Sequence, residues 1–116
     1  TGSDRESMEI KMRTSGKWNV LDISGHIKGS EVSHFRTAIQ RAISEKKLFL
    51  VANMQDVGFI DSSGVGMLIT CHQDLKAAGG RLILMRLSDD IYDLFEMTSI
   101  DRLFEIVDNE EELASR

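Results

Sequence analysis

Met8, Ile10 and Met12 alternate with Glu9, Lys11 and Arg13, the two-residue period of a strand with one buried face. Thr14-Ser15-Gly16-Lys17 reads as a turn, after which Trp18 and Val20 resume the extended pattern and complete an N-terminal hairpin. Leu21 and Ile23 break strict alternation, which predicts a bulge or a second buried face near Leu21. Residues 24–30, with Gly25 and Gly29, read as a loop. Ser30 is then the expected N-cap of a helix with Val32, Phe35, Ala38, Ile39, Ala42 and Ile43 on one face. Leu48-Phe49-Leu50-Val51-Ala52 is a continuous apolar run of strand length, as expected of a central strand.

The period changes at Phe59-Ile60-Asp61-Ser62-Ser63-Gly64-Val65-Gly66. Two apolar residues close an extended segment, helix-starting residues follow, and Val65, Leu68, Ile69, His72 and Leu75 continue at helical spacing. Gly79-Gly80 supplies a stop, and Leu82-Ile83-Leu84-Met85 is another buried strand. Ser88 caps a further helix, with Asp89 and Asp90 at its positive end, Ile91, Leu94 and Phe95 facing inward, and Met97 near its close. Leu103-Phe104-Glu105-Ile106-Val107 reads as a short last strand. Asp108 is the expected cap of a final acidic turn from Asn109 to Ala114, anchored by Leu113. This order predicts an α/β fold: a mixed, mostly parallel sheet with an N-terminal hairpin and about four helices.

Composition narrows the class. With 41% hydrophobic residues in 116, the chain is long enough for one domain with its own core, expected over residues 8–116. Residues 1–7 are polar and aperiodic, a disordered or cloning-derived start. A net charge of −5 argues against a nucleic-acid or anionic-membrane footprint, because both require clustered positive charge. No apolar run is long enough to span a bilayer, so no membrane insertion is expected. The single Cys71 cannot form an internal disulfide and reads as a packed helix residue. Together these features suit a cytoplasmic protein.

The strand-to-helix junction holds the candidate chemistry. The first N–H groups of a helix lack intrahelical partners and carry a partial positive charge, so an anion on a serine there is favoured. Capping alone is the simplest role of Ser62 and Ser63. Asp61 is the expected capping carboxylate, which leaves Ser62 free to project from the first helical position. Gly64 and Gly66 are unfavourable inside a helix by about 1 kcal/mol each, so a close approach to the backbone, as by a partner surface, is expected.

Catalytic motifs are missing. Ile60-Asp61-Ser62-Ser63-Gly64 lacks the leading glycine of a hydrolase elbow, there is no phosphate-binding Gly-x-x-x-x-Gly-Lys, and Gly64-Val65-Gly66 is too short for a dinucleotide fingerprint. His26, His34 and His72 have no metal-ligand spacing with Cys71, and His72 reads as a core-edge residue. The expectation is a non-enzyme with neither metal nor cofactor.

From Asn53 to Gly66, at Gly79-Gly80, and at Leu94-Phe95-Glu96-Met97 followed by Leu103-Phe104, the chain resembles the STAS domain family, and within it the small bacterial anti-sigma factor antagonists. The resemblance spans roughly residues 8–107. It implies that Ser62, the first serine of Asp-Ser-Ser-Gly, is phosphorylated by a partner that is both a serine protein kinase and an anti-sigma factor. The unphosphorylated form binds that kinase and frees the sigma factor; phosphorylation releases it, and a serine/threonine phosphatase resets it. Asp61, Ser63, Gly64, Val65 and Gly66, with His26 and Lys28, would then form the partner-binding surface of a monomer or weak dimer. One departure bears on partner choice. Many such antagonists carry an acidic residue in the loop after the second strand, near a Gly-Glu-Leu-Asp stretch, where this chain has Gly25-His26-Ile27-Lys28. Other readings are a STAS scaffold that never sees phosphate, of the stressosome or transporter-associated kind, and a nucleotide-binding or weakly nucleotidase STAS domain. A receiver domain would begin strand then helix, whereas this chain begins strand then strand.

Overall fold

The five strands of the sheet lie side by side in the order β1-β2-β3-β4-β5, which is also their order along the chain. This computed structural model describes residues 7–116; the expectation for residues 1–6 lies outside the described residues. Strands β1 (Glu9–Ser15) and β2 (Trp18–Ile27) form the antiparallel hairpin. β3 (Phe49–Ile60), β4 (Arg81–Met85) and β5 (Glu105–Val107) each join their neighbour in parallel. Three crossovers supply α1 (Glu31–Ser44), α2 (Ser62–Ala77) and α3 (Asp89–Met97). The expected mixed sheet and central apolar strand are present, and the fourth helix is a 3-10 segment, Glu110–Ser115.

The sheet has two apolar faces of unequal size. Leu21, Leu50, Ala52 and Leu84 point toward Phe35 and Ile39 of α1, Leu68 and Leu75 of α2, and Ile91 and Phe95 of α3, so all three helices cover one face. Trp18, Val20, Val51, Ile83 and Met85 point the other way and are closed over by Leu113. The broken alternation at Leu21 therefore marks a strand buried on both faces. The Trp18 indole N–H donates to the Leu113 carbonyl at 3.2 Å, and Arg13 bridges Asp22 and Glu110. These contacts fix the C-terminal segment on β1 and β2. Gly79 adopts φ 88 after α2, and the Gly80 and Gly79 amides donate back to the Leu75 and Lys76 carbonyls, the 6→1 and 5→2 pair of a Schellman ending.

Several local expectations are corrected. The segment from Ser24 to Ile27 is strand, not loop. Register shifts against β3 at Asp22/Ser24 and Gly25/His26, with Gly25 at φ 100, bend β2 without ending it. Ser30 precedes α1 but makes no side-chain cap, because it is already helical and the Glu31 and Val32 amides donate to Lys28 and Gly29 carbonyls. Met12 is exposed, since on the edge strand only Ile10, with Met8 just before it, reaches the helical layer. Leu94, expected to face inward, points outward because Ile91 and Phe95 already fill the inner side of α3, which ends at Met97 as expected. Leu103 belongs to a 3-10 turn (Ile100–Leu103) that the left-handed Ser99 starts, so β5 begins two residues later. Asn109, not Asp108, caps the last segment, in a reciprocal box with Glu112.

Candidate functional site

β3 is longer than β4. It pairs with β4 only from Phe49 to Asn53, but with β2 as far as Ile60, so the end of the sheet carrying the junction is a two-stranded extension. At its tip Ile60 is buried and Asp61 is extended, with φ −95 and ψ 179, the N-cap geometry that starts α2. The Asp61 amide donates to the Ile27 carbonyl at 3.2 Å.

The Asp61 carboxylate accepts three hydrogen bonds. Its Oδ1 takes the Gly64 amide at 2.8 Å and the Ser63 hydroxyl at 2.6 Å, and its Oδ2 takes the Gly29 amide at 3.2 Å. The Ser63 hydroxyl bond, then the Gly64 amide and, more weakly, the Gly29 amide hold this carboxyl below the usual carboxylate range, against a smaller opposing effect of burial. Asp61 is thus the cap expected from sequence, and it also ties the loop after β2 to the start of α2.

The two serines differ. Ser63 is exposed but its hydroxyl is engaged by Asp61, and its side also lines a depression of about 460 Å³ between α1 and α2, with Ser30, Ser33, Arg36, Met67 and Thr70. Ser62 is exposed at the first position of α2, and its hydroxyl makes no hydrogen bond to any described residue. An added phosphoryl group at Ser62 would sit in solvent beside the unpaired N–H groups of the first turn.

The glycines also differ, which corrects the common explanation expected for both. A Cβ on Gly64 would lie 2.7 Å from the Ile27 carbonyl oxygen and 2.7 Å from Ile60 Cγ1, so the backbone that approaches Gly64 belongs to this chain, not to a partner. Gly66 is exposed, with nothing within 4 Å of its missing Cβ. Val65 is packed in the core and presents no side chain to a partner. Of the proposed surface, Ser62, Ser63 and Gly66 face solvent at the start of α2.

His26 and Lys28 lie on the neighbouring end of β2 and its loop. The His26 ring meets Phe59 edge-on at 5.9 Å, and its buried Nδ1 has no hydrogen-bond partner among the described residues. The Lys28 ammonium lies 5.9 Å from the centre of the Phe59 ring. Phe59 itself is 48% exposed, a site residue not singled out from sequence. Its signal was available: in a strand, a neighbour of the buried Ile60 points to the opposite face.

The remaining candidates lie elsewhere. Cys71 is buried in α2, and burial pushes its thiol up to about 12, so no thiolate forms near neutral pH. His72 packs against Phe104 at 5.4 Å between ring centres. His34 is on the outer side of α1, beside Glu31. Among the described residues no cluster of His, Cys, Asp and Glu is arranged to hold a metal ion, and no helix is long and apolar enough to cross a membrane.

The family model for the STAS domain matches residues 9–113. The anti-sigma-B factor antagonist of Listeria monocytogenes is 26% identical over 107 residues, which cover 92% of this chain and 93% of that protein. Among solved structures, an anti-sigma factor antagonist from Mycobacterium paratuberculosis shares the fold with a TM-score of 0.82 at 17% identity, covering 95% of this chain and 93% of its own. The anti-sigma factor antagonist SpoIIAA in its unphosphorylated form gives 0.70 at 25% identity, covering 91% and 94%. The phosphorylated form of the Bacillus cell fate determinant SpoIIAA gives 0.71 at 24%, covering 93% and 98%.

Proposed function

The chain belongs to the STAS domain family, and on that premise we propose that it acts as an anti-sigma factor antagonist switched by phosphorylation of Ser62. The observation that carries this reading is the contrast between the serines: the Ser62 hydroxyl is exposed and bonds to no described residue, while Ser63 is held by Asp61. A kinase needs a hydroxyl it can reach and reorient, and Ser62 offers one without disturbing the cap. The similarity to SpoIIAA in both its phosphorylated and unphosphorylated forms supports a fold that tolerates the modification.

In this reading the partner is an anti-sigma factor with serine kinase activity, and a serine/threonine phosphatase restores the hydroxyl. The protein works in the cytoplasm by reversible binding, with no turnover of its own. Two negative charges or nearly so, added where α2 begins, are compatible with the helix dipole but not with a close protein contact. Ser62, Ser63 and Gly66 form the contact, with Phe59, His26 and Lys28 beside it, and Asp61 and Gly64 shape it from beneath.

Incubation with a copurifying kinase of this type and ATP, followed by peptide mass spectrometry, tests the assignment. Phosphate on Ser62, abolished in Ser62→Ala and retained in Ser63→Ala, is expected. Phosphate on Ser63, or on neither serine, overturns it.

A further inference from the structure

α3 is amphipathic in an unusual way: both of its sides carry large apolar residues. Ile91 and Phe95 point into the core, where Phe95 stacks on Phe104 with ring centres 5.9 Å apart. On the outer side Leu94 is 38% exposed and Met97, three residues on, is 83% exposed. Residues at this spacing are neighbours on a helix surface. The left-handed Ser99, at φ 60, then starts the 3-10 turn that follows α3, and Leu103 at the end of that turn is 51% exposed.

The surroundings are acidic. Asp89, Asp90, Asp93 and Glu96 are all exposed on α3, Asp101 follows on the 3-10 turn, and Arg102 is the single cation of these two elements. Contiguous exposed apolar groups with a polar rim mark an interaction surface. The sign of the rim selects the occupant. A second copy would bring the same acidic rim on a chain of net charge −5, and like charges would oppose it. An anionic bilayer or a nucleic acid would be repelled for the same reason.

We propose that the outer face of α3 and the 3-10 turn after it dock an amphipathic helix of a partner protein, one whose apolar residues are flanked by lysine or arginine. Leu94, Met97 and Leu103 would contact its apolar stripe, and the acidic rim would fix its orientation. This surface contains no residue of the Ser62 junction, so it stands whether or not Ser62 is phosphorylated.

The test is titration of the isotopically labelled full chain with a synthetic helix of about 20 residues, leucine on one face and lysine on both flanks, followed by amide chemical shifts. A matched peptide with glutamate for lysine is the control. Shifts concentrated in residues 89–103 are expected, with affinity reduced about tenfold in a Met97→Ser, Leu103→Ser variant that melts like the parent. Shifts centred elsewhere, equal binding of the glutamate peptide, or no binding overturn the proposal. So does a dimer in sedimentation, or binding to anionic vesicles, that the double variant abolishes.

Discussion

The Asp61 carboxylate accepts the Gly29 amide at 3.2 Å, so one side chain fastens the loop after β2 to the first turn of α2. Asp61→Ala removes this tie and the cap together. It should lower the melting temperature and speed exchange of the Gly29 and Gly64 amides, whereas Asp61→Asn, which keeps an acceptor oxygen, should show a smaller effect. Because the folded carboxyl lies below its ordinary range, its stabilisation is present above that range and is lost as pH falls through the lowered value. Amide exchange of Gly29 measured down an acid series should rise accordingly.

Gly64 and Gly66 should respond oppositely to alanine. At Gly64 the new methyl meets the Ile27 carbonyl, a backbone group that cannot step aside, so Gly64→Ala should destabilise by roughly 1–3 kcal/mol. At Gly66 the methyl enters open space inside a helix, and the same change should stabilise by up to about 1 kcal/mol. Denaturant melts of the two variants decide this.

Ser62→Asp should fold like the parent, because its side chain lies in solvent at the positive end of α2. Its affinity for the proposed anti-sigma factor partner should fall several-fold to a thousand-fold, the range for a loss of about 1 to 4 kcal/mol. Calorimetric titration against the partner, with Ser62→Ala as the binding-competent control, gives the comparison.

Lys28 places a cation 5.9 Å from the centre of the Phe59 ring, beside the Ser62 junction. Lys28→Asp should strengthen binding to a kinase of the usual type, by about fivefold if 1 kcal/mol is gained. Unchanged or weaker binding would show that this loop does not select the partner.

Glu110 should govern the acid response of the opposite end of the molecule. Hydrogen bonds from Arg13 and, next, Ser15 lower its carboxyl to about 2. Since the folded value is depressed, the stabilisation is complete above the ordinary glutamate range and fades as pH drops toward about 2. Trp18, bonded to Leu113 in the same segment, should report loosening there by a change in fluorescence. Glu110→Gln should flatten this limb and cost less than about 1 kcal/mol at neutral pH.

The central strand, the junction and the Asp61 cap were legible because each is written locally: an apolar run, a change of period, a carboxylate directly before a helix. The upper half of β2 was not, since Ser24, Gly25 and His26 carry no apolar alternation and are strand only through their pairing with β3. The reason for Gly64 was hidden for the same kind of cause, because it depends on the carbonyl of Ile27, which is distant in sequence. Leu94 was misread as inward because periodicity records which residues are apolar, not how many of them the rest of the fold can cover.

Strand order that equals chain order also has a bearing on how the molecule is made. During synthesis every new strand emerges with its neighbour already available, so the sheet can grow outward from the hairpin without waiting for a later segment to be inserted. The exception is the final segment, which returns to Arg13 and Trp18. The first hairpin thus receives its last contacts only after the ribosome has delivered Glu110 and Leu113, long after its own two strands have paired.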